Sequence, residues 1–151
     1  MRVLGIHLAK GFCRFAVLEG TVSSPQLIEK GKLATVDPDN IPALMDWYET
    51  QFRQLIELYA ADRISYRLTL EPDKGMLATS EFPLGVLNLI AHQKGLEIAG
   101  YTKGSYVASK LGLGKDQDIY AYCDVVFGKR PPYWDNNLKH AVLAAWFNLP
   151  K

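Results

Sequence analysis

The sequence predicts an α/β domain on a mixed five-stranded sheet, with helices on both faces. Three observations carry that expectation: three N-terminal apolar runs joined by short turns, one long segment with an unbroken apolar helical face, and two further short strands separated by helical segments. Arg2 to Leu8 is a nearly continuous apolar run, as a central strand buried on both faces requires. Lys10-Gly11 supplies a turn, and Phe12 to Glu19, rich in Phe, Val and Leu, reads as the antiparallel partner. Gly20 to Pro25 is a polar loop, and Gln26 to Thr35 is a more polar strand suited to a sheet edge. These three strands form a meander.

Asp39 or Asn40 can cap the next element, with Pro42 in its first turn where a missing N–H costs little. Ile41, Leu44, Met45, Tyr48, Phe52, Leu55, Ile56 and Tyr59 then recur at spacings of three and four, tracing one face of a helix of about twenty residues. Arg63 to Leu70 is a fourth strand, closed by Glu71-Pro72-Asp73-Lys74-Gly75. Pro83 to His92 reads as helix and Leu96 to Tyr101 as a short buried strand. Helices are expected over Ser105 to Leu111, Asp116 to Phe127 and Asn136 to Leu149, with a loop at Gly128-Lys129-Arg130-Pro131-Pro132. Helical crossovers between strands demand parallel pairing, so strands one, four and five are expected to run parallel.

The 151 residues suit one domain spanning 1–151. Hydrophobic residues at 48% and charged residues at 22% exclude a disordered chain. Seventeen basic and sixteen acidic side chains deny a globally basic footprint, so contact with nucleic acid has to rest on local clustering. Cys13 and Cys123 have no metal-type companions at short spacing and read as small buried thiols. The N-terminus shows neither a long apolar run nor a small-residue cleavage site, and no window is apolar enough to span a membrane; a cytoplasmic protein without membrane contact is expected.

Three stretches carry a family resemblance. Leu4-Gly5-Ile6-His7 on strand one, Ile64 to Glu71 with the Lys74-Gly75 behind it, and the run from Asp135 through Asn137 and His140 into an alanine-rich face resemble, in that order, RuvC-like resolvases of the ribonuclease H-like superfamily. The chain is also similar to small bacterial domains related to that group. The resemblance implies a ribonuclease H-like fold and a nuclease ancestry, with an incomplete set of catalytic carboxylates. His7 stands where the family places the aspartate that bridges two metal ions, and His140 stands where the last helix offers an acidic residue. Only Glu71 is preserved in kind, with Asp73 and Asp135 as nearby acidic residues.

Two-metal hydrolysis needs several carboxylates converging on cations about 3.5–4 Å apart, and magnesium binds imidazole poorly. A divergent metal-dependent phosphodiesterase would therefore rest on Glu71, His7, His140 and Asp135, with His7, Glu71 and His140 as ligands for manganese or zinc rather than magnesium. The bland alternative is that both histidines fill a vacated site as neutral hydrogen-bonding groups. Binding of DNA or RNA without cleavage would use Lys10, Lys74 and Lys103, each before a glycine and just past a parallel strand. The loop with Lys129, Arg130, Tyr133 and Trp134 adds basic and aromatic side chains. A dimeric scaffold, with a homodimer and an inert site, is the third reading.

Overall fold

The computed structural model describes residues 1–9, 11–34, 37, 39–68 and 77–151. Strands β1 (Arg2–Ala9), β2 (Phe12–Gly20) and β3 (Pro25–Ala34) form the meander, and helix α1 (Ile41–Leu58) crosses over to β4 (Arg63–Arg67). A short π-helical turn, Leu77–Glu81, leads into α2 (Phe82–Lys94), then come β5 (Glu97–Tyr101), α3 (Ile119–Phe127) and α4 (Asn136–Phe147). The sheet order is β3-β2-β1-β4-β5. The pairs β1–β2 and β2–β3 are antiparallel, while β1–β4 and β4–β5 are parallel. The expected mixed five-stranded sheet with strands one, four and five parallel is therefore present.

The period of two along each strand divides the core into two layers. Leu4, Ile6 and Leu8 of β1, Cys13, Phe15 and Val17 of β2 and Ile64 of β4 point to one face, where they meet Leu44, Tyr48, Phe52, Leu55 and Ile56 of α1 and Leu84, Leu87 and Ile90 of α2. The α1 stripe is the one its spacing predicts, and Asn40 is the residue that caps it, accepting from the Ala43 N–H. Burial of each such side chain contributes about 1.5–3 kcal/mol. The opposite face carries Val3, Ala16 and Leu18, covered by α3 and α4 through Ile119, Cys123, Leu138, Val142 and Trp146. Both cysteines are free and buried.

Register explains how closely α4 lies on the sheet. Gly5 pairs with Ala16 on one side and Ser65 on the other, and Ser65 pairs with Ala99. This row of small side chains runs under Ala141 and Ala145 of α4. A Cβ built on Gly5 would stand 2.0 Å from the Ala141 carbonyl oxygen and 2.9 Å from the Ala145 Cβ. Gly5 is thus required for close approach of the helix rather than for backbone freedom.

Some expected elements are shorter or broken. Ser105 to Leu111 is not a helix but two 3₁₀ turns, Lys103–Ser105 and Ala108–Leu111, with Val107 extended between them. Gly104 and Gly112 bracket a segment too short to propagate, and the β-branched Val107 favours the extended form. Asp118 starts α3 by accepting from the Tyr120 and Ala121 N–H groups, so the residues from 116 to 118 precede the helix. Helix α4 stops at Phe147, and β4 ends at Arg67, with residues 69 and 70 outside the described residues. No helix among the described residues is long and apolar enough to cross a membrane.

Candidate functional site

The carboxyl ends of the parallel strands β1 and β4 meet the first turn of α4. One residue row above the Gly5 row, His7 pairs with Arg14 of β2, while Ile6 pairs with Tyr66 and so brings Arg67 of β4 beside His7. The row therefore reads Arg14, His7, Arg67 across three adjacent strands, on the face that α4 covers. Asn137 and His140, one turn apart, descend onto it from the helix.

His7 is 8% exposed. Its Nε2 lies 3.3 Å from the Asn137 Oδ1, which accepts the ring proton and leaves Nδ1 as a bare lone pair without a partner among the described residues. The His140 ring meets the His7 ring edge-on, with centroids 4.7 Å apart. His140 Nδ1 accepts from Arg67 at 3.0 Å and from the Tyr120 hydroxyl at 2.9 Å, so its own proton sits on Nε2. Burial holds the His7 imidazole down to about 4 despite the Asn137 contact, with Arg67 and Arg14 adding to the depression. Burial, then His7 and Arg67, hold His140 down to about 3. Both rings are neutral at pH 7.

Two guanidiniums flank them. Arg14 is 5% exposed and its Nη2 donates to Asp135 at 2.9 Å, while its Nε and Nη1 find no acceptor among the described residues. Its guanidinium carbon stands 4.2 Å from the Phe12 ring centre. Arg67 lies 4.2 Å from the Tyr106 ring centre, and the Tyr106 hydroxyl donates to the His140 carbonyl, tying this corner to α4. Asp135 caps α4 through the Leu138 N–H. Burial opposes ionisation of Asp135, but that backbone bond and Arg14 hold its carboxyl below the usual range.

Beside this row lies a basic and aromatic rim. Tyr133, 48% exposed and at φ +67°, stands with Phe12 around Arg14 and Lys32: the Lys32 ammonium is 4.8 Å from the Phe12 ring centre and 5.5 Å from that of Tyr133. Lys30 donates to the Pro132 carbonyl at 2.7 Å. Lys103 and Lys129 are exposed. Arg130 is exposed as well, with its Nε on the Phe127 carbonyl at 2.8 Å. Trp134 sits inward, packed against the α3–α4 core and donating to Asp124, beside the Lys139 ammonium. Glu71, Asp73, Lys10 and Lys74 lie outside the described residues.

Solved structures share this architecture. Thermus thermophilus RuvC in complex with Holliday junction substrate superposes with a TM-score of 0.76 at 14% identity, over 97% of this chain and 91% of that one. The yeast mitochondrial Holliday junction resolvase gives 0.69 at 11% identity, over 96% and 76%. The fowlpox virus Holliday junction resolvase gives 0.54 at 8% identity, over 97% and 94%. The fold is RuvC-like. No protein-family model matches the chain, and no curated protein matches it in sequence.

On this RuvC-like frame, the family resemblance implies a divalent metal at the strand ends. The described donor set does not suit one. Asp135 is committed to Arg14 and to the helix cap, and His140 Nδ1 is already an acceptor for two donors. A guanidinium 3.0 Å from that nitrogen repels a cation. Among the described residues no three His, Cys, Asp or Glu side chains come together as a metal-holding group. As described, the row offers hydrogen-bond donors and positive charge instead.

Sequence reasoning singled out His7, His140 and Asp135 but passed over Arg14, Arg67, Phe12, Lys30 and Lys32. A signal was available for Arg14. It is the one charge inside the apolar run from Phe12 to Leu18, and counting by twos puts it on the same face as Ala16 and Leu18.

Proposed function

We propose that this chain is a nucleic-acid-binding domain on a RuvC-like frame that has given up metal-dependent phosphodiester hydrolysis. The observation that carries the reading is the Arg14–His7–Arg67 row, in which guanidinium and neutral imidazole occupy the strand ends. Two neutral imidazoles are also poor general acids: with pKa values of about 4 and about 3, only on the order of one molecule in a thousand or fewer holds either proton at pH 7. The rim of Lys30, Lys32, Lys129, Arg130, Phe12 and Tyr133 supports backbone contact plus base stacking, a combination that tolerates any sequence. The likeness to resolvases supports a branched or single-stranded DNA as the first ligand to try.

Fluorescence anisotropy with labelled single-stranded and four-way-junction DNA tests this. Binding is expected in chelator, with affinity falling steeply as salt rises. Alanine at Lys32, Lys129 and Arg130 together should lower both the affinity and the salt slope, by about one unit of slope for each phosphate no longer neutralised. Nicking of either DNA in manganese or magnesium, abolished by Glu71→Ala, would replace this reading with a divergent nuclease.

A further inference from the structure

The Arg14–His7–Arg67 row has a charge imbalance that the fold itself does not resolve. Among the described residues two guanidiniums meet one carboxylate there, that of Asp135, and it is engaged by Arg14 alone. Charge that is partly removed from water is costly unless a counter-charge completes it. The remaining polar atoms facing the row are donors. The His140 Nε2–H follows from the two bonds its Nδ1 accepts, and the Asn137 amide NH₂ follows from its oxygen being turned to His7. The first turn of α4 adds the positive end of its helix dipole. His140, Asn137 and Arg67 are all partly exposed, so a small ion can reach them.

We infer that this corner is a metal-free anion site, built to hold one phosphate group between Arg67, His140 Nε2 and the Asn137 amide, with Arg14 as buried supporting charge. A phosphate suits it better than a carboxylate because several donors converge from different directions, and a guanidinium can engage two of its oxygens together. Helix ends that face a phosphate commonly combine backbone dipole and side-chain donors in this way. The site thus reverses the sign of ligand expected at the strand ends of a metal-dependent nuclease. It rests on the proposed function only in taking nucleic acid as the natural source of the phosphate; inorganic phosphate is the other source.

The probe is inorganic phosphate titrated calorimetrically into the full chain in chelator, with imidazole C–H resonances followed in parallel. The chain has three histidines, and His92, exposed on α2, serves as the internal reference. Saturable binding should move the His7 and His140 signals and leave His92 in place. Arg67→Gln should weaken binding about tenfold or more, since a charge-assisted hydrogen bond is removed, and Arg67→Lys should restore part of it. Should Arg67→Gln fail to fold, Asn137→Asp on the partly exposed first turn of α4 is the second variant and is expected to abolish binding by placing a carboxylate at the anion. No saturable binding, or unchanged binding in a folded Arg67→Gln or Asn137→Asp protein, overturns the inference.

Oligonucleotides with and without a 5′-phosphate separate the sources. Tighter binding of the phosphorylated strand, abolished in Arg67→Gln, supports a nucleic-acid end as ligand. Equal binding of the two strands beside intact phosphate binding supports the free ion. Oligonucleotide binding with no response to phosphate leaves the proposed function standing and removes this site, and phosphate binding without oligonucleotide binding does the reverse.

Discussion

Mild acid is expected to destabilise the protein above the range in which its carboxylates titrate, through the two buried imidazoles. In the folded state His7 takes a proton only near pH 4, whereas the free imidazole takes it near 6.5. Between those values the unfolded chain holds the extra proton, so the contribution is fully present above about pH 6.5 and is lost as the pH falls towards 4. One unit of pKa separation corresponds to about 1.4 kcal/mol, and the part of the His7 contribution lost by pH 5 is about 2 kcal/mol. His140, held down to about 3, adds a loss of the same sign, reduced by solvent screening at its exposed edge. Asp135 and Asp124 are both held below the usual carboxylate range, so their protonation falls at lower pH and does not mimic this slope. Urea unfolding measured at half-unit steps between about pH 7.5 and about pH 5 reads the effect directly. His7→Gln should flatten the dependence by close to one proton, about 1.4 kcal/mol per pH unit. Equal slopes in the two proteins would mean that His7 protonates as easily folded as unfolded, and the closed, cationic character of the row would be refuted.

Two further outcomes follow from packing and backbone geometry. Gly5→Ala should destabilise by about 3 kcal/mol or more, at the top of the overpacking range, because its methyl meets a helix carbonyl rather than a side chain that can turn away; a thermal midpoint unchanged from the native chain would show that α4 can lift freely. Tyr133→Gly should leave stability level or raise it by up to about 1 kcal/mol, since φ is +67°, while weakening single-strand binding about tenfold through removal of the ring. A loss of stability with binding intact would make the ring structural instead.

The frame of the fold is legible because it is written in apolar periodicity. The stripe from Leu44 to Ile56 fixes α1, the two-fold alternation in the first two strands fixes both core layers, and the helical crossovers fix the parallel pairing. The segment from 105 to 111 reads as helix by composition alone, which does not register that Val107 breaks it. The site is only half legible. A search for metal ligands finds His7 and His140, which are polar residues in conspicuous places. Arg14 and Arg67 gain their meaning from cross-strand register, a long-range property that no local window contains. The same holds for Phe12 and Lys32, brought to Tyr133 by a loop about a hundred residues further along the chain.

The Gly5, Ala16, Ser65 and Ala99 row has a consequence for how the corner above it responds to a ligand. Side chains of this size have almost no rotamers to exchange, so the seat beneath α4 is a hard stop rather than an adjustable cushion. Asn137 and His140 are held at one height over the strands before anything binds. Little ordering entropy then remains to be lost at the moment of association, and affinity at this corner is governed by which donors it presents rather than by how far it must rearrange to present them.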